Sequence, residues 1–293
     1  MPAQVASEST NPALTNPVFT APPISDRPWR TREPQPLTAE NLRLLFNNEI
    51  PLIHVPNFAT QAEVDAVVKA YDKVVEKAGM FQVPTEDISY TKSRFIGMPQ
   101  FQYASRPKAE YFADVPGCYA LQKQVFDHSF HVVNRMMDTV RRNWPGRVDI
   151  GDEGPPFGKY YAGIFREVTM GGPVHCGFGP FTAPGYAKLG SIDADVSWNL
   201  YLLRPAQGGE TTVYNRPWQS KRNVSTPEIF MKPEVYQDAE SVTFEPIIGD
   251  VIMFNNRNPH GWTPTANPKD GTRRLGTGSF LGRLPNGDIM LYS

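Results

Sequence analysis

Residues 249–260 read Gly-Asp-Val-Ile-Met-Phe-Asn-Asn-Arg-Asn-Pro-His. A Gly-Asp turn signal opens the apolar run Val251–Phe254, and an asparagine- and proline-bearing loop closes it on His260. This is the texture of a short buried strand that delivers a histidine at the end of a loop. The same texture recurs from about Phe157 onward, in Tyr160–Val168, Val196–Leu203, Thr211–Tyr214, Val242–Phe244 and Leu275–Leu281, each set off by Gly, Pro or Asn. Such spacing predicts an all-β sandwich or barrel core rather than alternating βα units. There is no internal repeat and no Gly-rich phosphate loop, and Gly171-Gly172 and Gly208-Gly209 read as turn signals.

The half before this core has a different texture. Residues 1–36 are rich in Pro, Ser, Thr and Ala with little apolar periodicity, and read as a flexible or wrapping N-terminal arm. Ile50–Pro56 reads as a short strand. Thr60 and Glu63 form a capping box at the start of a helix. Val64, Val67, Val68, Tyr71, Val74 and Val75 then recur at helical spacing until Gly79. A second helix is expected over Tyr119–Asn143, stopped by Pro145-Gly146. The expected organisation is therefore an arm (1–36) and a single catalytic domain (37–293). That domain has a helical part (about 37–156) flanking the jelly-roll core (about 157–293).

Composition narrows the function classes. A formal net charge of −1 offers no global field for a nucleic-acid polymer or an anionic membrane. No apolar run approaches the roughly 20 residues that span a bilayer, and the first residues lack the basic and apolar blocks of a secretory signal. Cys118 and Cys176 lie far apart and form no metal-type pair, so reduced thiols in a cytoplasmic enzyme are expected. Its 29 prolines are about twice the usual share of roughly 5% and predict many loops.

Five histidines carry the metal question. His54, in the early strand, suits a hydrogen-bonded core role, and His128 and His131 are a bare i, i+3 pair. His175 and His260 stand apart because both lie in strand-and-turn segments of the β region. Two histidines and a carboxylate make the facial arrangement of non-haem iron oxygenases, in a sequence order of His-X-Asp/Glu, a distant His and then an Arg for the cosubstrate's far carboxylate. Arg273-Arg274 follows His260 by 13 and 14 residues. A planar guanidinium suits bidentate carboxylate binding. The carboxylate itself is missing, since the triplet is His175-Cys176-Gly177. Its loss opens a coordination position for chloride or bromide, so that a substrate radical left after hydrogen abstraction collects halogen instead of hydroxyl.

With these residues in register, the chain resembles the iron(II)/2-oxoglutarate-dependent halogenases, and is most similar to the freestanding enzymes that chlorinate welwitindolinone-type indole alkaloids. The resemblance rests on Val174-His175-Cys176-Gly177, Gly208-Gly209-Glu210, Val213-Tyr214-Asn215, Trp218, Gly249–Asn255 with His260, and Arg274 with Gly278 and Phe280, all within residues 157–283. It implies a double-stranded β-helix, Fe(II), 2-oxoglutarate, O₂ and chloride or bromide. It further implies His175 and His260 as metal ligands, Gly177 as the halide-side position and Arg274 as the 2-oxoglutarate anchor. Arg273 is the runner-up anchor, because strand alternation points only one of the two inward. Gly276 stands where a hydroxyl residue often follows the anchor, leaving Thr277 or Tyr160-Tyr161 to supply a second contact. The function implied is halogenation of an aliphatic C–H bond in a free small molecule. Two other readings stay open: a hydroxylase of the same fold, its carboxylate supplied by the substrate or from elsewhere in the chain, with Asp193 and Asp195 as candidates, and a non-catalytic jelly-roll binding protein. Glu210 is a further candidate, but the resemblance places a Glu there without making it a ligand. Trp198, Phe178, Phe181 and Tyr186 suit either an aromatic pocket or core packing, and Gly177–Gly190 suits a loop near the metal mouth.

Overall fold

A computed structural model describes residues 21–78, 94–103, 106–168, 171–183, 185–219, 231–265 and 273–293. Two antiparallel-rich sheets face one another. The larger is built from β1 (Leu52–Val55), β9 (Val251–Asn255), β6 (Ala194–Leu203), β11 (Arg274–Arg283), β12 (Ile289–Tyr292) and β3 (Val148–Ile150) in that spatial order. β4 (Ile164–Val168) also pairs with β11, and β2 (Arg94–Ile96) pairs with β4. The smaller sheet runs β5 (Gly172–His175), β10 (His260–Trp262), β7 (Thr211–Tyr214) and β8 (Ser241–Phe244). The long-range order of these strands is that of a double-stranded β-helix.

Alternation divides the large sheet into two faces. Trp198, Leu200 and Leu202 of β6, Val251 and Met253 of β9, and Leu275 and Leu281 of β11 point outward into one core with Leu42, Val67, Tyr71, Val133 and Met136. These last residues come from helices α1 (Ala39–Phe46), α2 (Gln61–Ala78) and α4 (Val132–Arg141). The opposite residues, Tyr201, Ile252 and Phe254, face the small sheet beside Val213. A third, aromatic cluster gathers Tyr111, Phe112, Tyr160, Tyr161, Phe178, Tyr186 and Tyr292 around α3 (Lys108–Phe126).

The capping box forms as the sequence predicts. The Thr60 N–H donates to Glu63 Oε2 at 2.9 Å, and the Glu63 N–H donates to Thr60 Oγ1 at 3.3 Å. Gly79, expected to end α2, lies outside the described residues. Glu63 also accepts two bonds from Arg135 of α4, at 3.0 and 2.6 Å, and these hold its carboxyl down at about 2. A depressed carboxyl stabilises the fold above its unfolded value of about 4.3, and that stability is lost as pH falls through the folded value. Glu63→Gln should therefore cost about 1–2 kcal/mol at pH 7, allowing for solvent screening. Chemical denaturation should show the gap closing between about pH 4 and 2.

The expected single helix over Tyr119–Asn143 is two. α3 begins earlier, at Lys108, and carries Pro116 in its interior, while α4 starts after a break. His131 makes the break: its Nδ1 accepts the Asn134 N–H at 3.2 Å as the N-cap of α4. His128 and His131 thus share no helix face. His54 is hydrogen-bonded as expected, its Nε2 lying 2.7 Å from Asp250 Oδ2. The described part of Gly177–Gly190 is not an open lid. Phe178, Tyr186 and Leu189 are buried in the aromatic cluster, and Trp198 lies in the outer core, so these aromatics are packing residues. Phe181 stacks on Trp218 with ring centroids 4.5 Å apart. Among the described residues no helix is long and apolar enough to cross a membrane.

Candidate metal and cosubstrate site

β5 and β10 are too short to be read from the sequence, yet they build the site. They pair antiparallel with His175 directly opposite His260, and the ring centroids lie 4.3 Å apart. Gly172, expected only as a turn signal, is a strand residue whose missing side chain admits the Trp262 ring: a Cβ there would stand 2.4 Å from it. Trp262 meets His175 edge-on at 5.8 Å.

Each histidine is fixed in one tautomer. Nδ1 of His175 bonds the Pro173 carbonyl at 2.9 Å, and Nδ1 of His260 bonds the Asn258 carbonyl at 2.8 Å. A carbonyl only accepts, so both Nδ1 atoms carry the proton and both Nε2 atoms the lone pair. Burial pushes His175 down to about 4, with the Arg166 charge acting in the same sense. His260 is held well below its usual value by burial, then by its neighbour His175. Neutral, oriented imidazoles are what a metal needs.

The His260 loop is anchored from far away in sequence. Asn255 Nδ2 donates to the Leu45 and Phe46 carbonyls at 3.0 and 3.1 Å, closing the end of α1 onto β9. Asn258 Nδ2 donates to Asn48 Oδ1 at 2.7 Å, and Trp29 Nε1 donates to the same oxygen at 3.1 Å. Asn48 thus joins Trp29 to the His260 loop.

Across from the histidines, the two adjacent arginines separate as alternation requires. Arg273 points away and binds both oxygens of Asp72 at 2.7 Å, with Glu167 at 3.0 Å. Arg274 points between the sheets, donating to Thr211 Oγ1 at 3.1 Å and Tyr201 OH at 3.4 Å, with its guanidinium 5.1 and 5.4 Å from the Tyr201 and Trp262 ring centres. Thr277, expected as a second cosubstrate contact, sits on the opposite face of β11 from Arg274, and its buried hydroxyl has no partner among the described residues. Tyr160 and Tyr161 are also committed elsewhere, to Glu153 and to the Gly163 carbonyl. Thr211 and Tyr201 take the place beside Arg274. Gly276 lacks a hydroxyl for want of room: a Cβ there would stand 3.0 Å from the Leu200 carbonyl oxygen.

Arg166 escaped the sequence reading. It lies opposite Gly276 in the β4–β11 ladder, on the same face as Arg274. Among the described residues it has no carboxylate partner. Burial, reinforced by the Arg274 charge, lowers it to about 10. Only the register of β4 against β11 brings it to the histidines, which is why no linear motif announces it.

The carboxylates weighed as third ligands are occupied. Asp193 pairs with Arg283 at 2.7 Å. Asp195 is buried and accepts from Tyr292 OH at 2.7 Å, Gly179 N at 3.3 Å and Asn256 Nδ2 at 3.4 Å, while burial raises its carboxyl to about 7. Glu210 is bonded by the Thr263 hydroxyl. Among the described residues no group of three His, Cys, Asp or Glu forms a metal-binding cluster. The donor set still fits iron(II), through two neutral imidazoles with the Arg166 and Arg274 charges nearby for anionic ligands.

The fold is shared with the N-substituted L-amino acid dioxygenase of Burkholderia ambifaria AMMD, with a TM-score of 0.57 at 14% identity over 87% of this chain and 91% of that one. The same enzyme in complex with alpha-KG gives 0.56 at 13% identity over the same shares. This fold, with a family match over residues 36–286, makes the chain a non-haem iron(II), 2-oxoglutarate-dependent oxidoreductase that draws on O₂.

A family model described as carrier-protein-independent halogenase WelO5 matches residues 36–286, and the chain belongs to that halogenase family. It is 31% identical over 196 residues to the leucinostatins biosynthesis cluster protein S of Purpureocillium lilacinum, covering 65% of this chain and 79% of that protein. It is 29% identical over 160 residues to the L-gamma-glutamyl-L-propargylglycine hydroxylase of Streptantibioticus cattleyicolor, covering 54% of this chain and 57% of that enzyme.

Proposed function

We propose that this halogenase replaces an aliphatic C–H hydrogen of a free small molecule with chlorine or bromine, with His175 and His260 as the iron ligands, Arg274 as the 2-oxoglutarate anchor and the halide seated beside Gly177. The observation that carries this reading is the pair of facing neutral histidines with a glycine, and no available carboxylate among the described residues, at the third position. When bound, iron with 2-oxoglutarate and O₂ supplies the oxidising power that removes hydrogen from an unactivated carbon. The chain's own groups bind and orient. The imidazoles present Nε2 lone pairs fixed by backbone carbonyls. Arg274, braced by Thr211 and Tyr201, offers its guanidinium to the far carboxylate. Arg166 adds a second positive charge, which favours the dianionic cosubstrate and a halide together. Among the described residues, the carboxylates a hydroxylase of this fold could recruit, Asp193, Asp195 and Glu210, are each engaged elsewhere.

Residues 37–293 form the catalytic domain in this reading, since α1, α2 and α4 share one core with the large sheet. We place the enzyme in the cytoplasm, on the reading that Cys118 and Cys176, far apart in sequence, stay reduced.

The test is spectroscopic and analytical. Under anaerobic conditions the protein with Fe(II) and 2-oxoglutarate should change its absorption when chloride is added, and with O₂ and its substrate it should yield a product heavier by one halogen. Indifference to chloride and bromide, with only oxygenated product, defeats the halide assignment. Arg274→Ala should weaken 2-oxoglutarate binding at least about tenfold, because a charge-assisted pair contributes roughly 1.5–3 kcal/mol. Arg273→Ala should leave that affinity near the parent's and lower stability through Asp72 and Glu167. The reverse pattern, read by titration of the Fe(II) protein with 2-oxoglutarate, reassigns the anchor.

A further inference from the structure

Gly177 is not required by its backbone. Its φ lies outside the positive range that Gly163, Gly185 and Gly209 adopt, so other residue types suit the chain direction there. What is missing is room. A Cβ on Gly177 would stand 2.6 Å from Nδ2 of Asn256, 3.5 Å from its Cγ and 3.7 Å from its Oδ1.

Asn256 is poorly placed to give way. It is buried, its backbone N–H donates to the Asp195 carbonyl at 3.1 Å, and its own carbonyl accepts the Gly177 N–H at 2.9 Å. Its side-chain Nδ2 donates to Asp195 Oδ2 at 3.4 Å, and that carboxylate is itself held by Tyr292 and Gly179. The same bond fixes which end of the carboxamide is the nitrogen, since a carboxylate oxygen selects a donor.

We propose that Asn256 is the specificity-determining residue that keeps the position beside Gly177 open. Its carboxamide occupies the room a side chain at 177 needs, and Asp195 holds it there. The consequence for halide choice rests on the proposed halogenase activity; the packing relation does not. A neutral amide with N–H donors excludes a carboxylate side chain yet accommodates a small anion, so two residues, Gly177 and Asn256, define the carboxylate-free site. A glycine alone would be one substitution from a hydroxylase-type ligand set, whereas here the neighbour must change as well.

The experiment uses the full chain in two states. In the metal-free protein, Gly177→Ala should lower Tm by about 2–8 °C, the range expected for overpacking in a domain of this size. In an Asn256→Ala background the same change should cost less than about half of that, a coupling that marks direct contact. Iron titration gives the second readout. Gly177→Asp alone should bind Fe(II) no more tightly than the parent, while Gly177→Asp with Asn256→Ala should gain at least about tenfold from a third ligand. Asn256→Ser, which retains a donor for Asp195, serves if Asn256→Ala fails to fold and should show the same pattern. Additive melting shifts, or a tenfold gain from Gly177→Asp alone, overturn the proposal. These outcomes are separable from the function itself: a parent protein blind to chloride defeats the halogenase reading and leaves the coupling in place, and additive melts do the opposite.

Discussion

His260→Ala is expected to abolish turnover and weaken iron binding at least about 100-fold, more than loss of an outer contact costs at such sites. His260 is the buried member of the proposed ligand pair, its ring centroid 4.7 Å from that of Phe254 and 4.3 Å from that of His175 in tilted contacts, with its tautomer set by Asn258. Removing the ring takes away one of two protein donors and leaves a small void between the sheets. The void lowers Tm modestly, so melting of the metal-free variant must accompany the iron titration. A variant that stays folded, with iron affinity and turnover near the parent's, would show that the metal lies elsewhere.

Gly177→Asp is expected to reduce halogenated product at least about 100-fold. A carboxylate carried into this neighbourhood repels chloride whether or not it reaches the metal, because two like charges a few ångströms apart in a poorly solvated site interact by several kcal/mol. Iron affinity should not rise in step. The sequence alone suggests that an aspartate here becomes a ligand and keeps or improves iron binding, but the Asn256 carboxamide stands in its way. Loss of halogenation without a gain in iron affinity is therefore the expected pair of results. Mass spectrometry of products at fixed chloride tests the first, and persistence of halogenated product at the parent's level rules out a halide beside residue 177.

The parts of the site legible in the sequence were those with local signatures. The choice of Arg274 over Arg273 rests on the family resemblance, but the Arg273-Arg274 pair stood out because it follows His260 by 13 and 14 residues, and His260 because a four-residue apolar run and an asparagine–proline loop precede it. The capping box at Thr60 and Glu63 was legible for the same reason, since its partners lie three residues apart. What escaped depends on contacts distant in sequence. Arg166 reaches the histidines through the register of β4 on β11, and Asn256, just past the end of β9, meets Gly177, just past the end of β5. The break between α3 and α4 was hidden because His131 caps a helix with its ring nitrogen, outside the usual set of Ser, Thr, Asp and Asn. β5 and β10 are four and three residues long, too short for any period to show.

The position of β11 carries a consequence for how the molecule is made. It pairs with β6, β4 and β12, and so occupies the middle of the large sheet, while its residues are encoded after nearly everything it joins. Its pairings with β4 and β6 can form only after Arg274–Arg283 has been synthesised, because both partners precede it in the chain. Pairings of such long sequence separation form slowly and leave strand edges exposed meanwhile. Arg274, the proposed anchor for the cosubstrate, is the first residue of that late strand, so in this reading the cosubstrate site is completed together with the closure of the sheet.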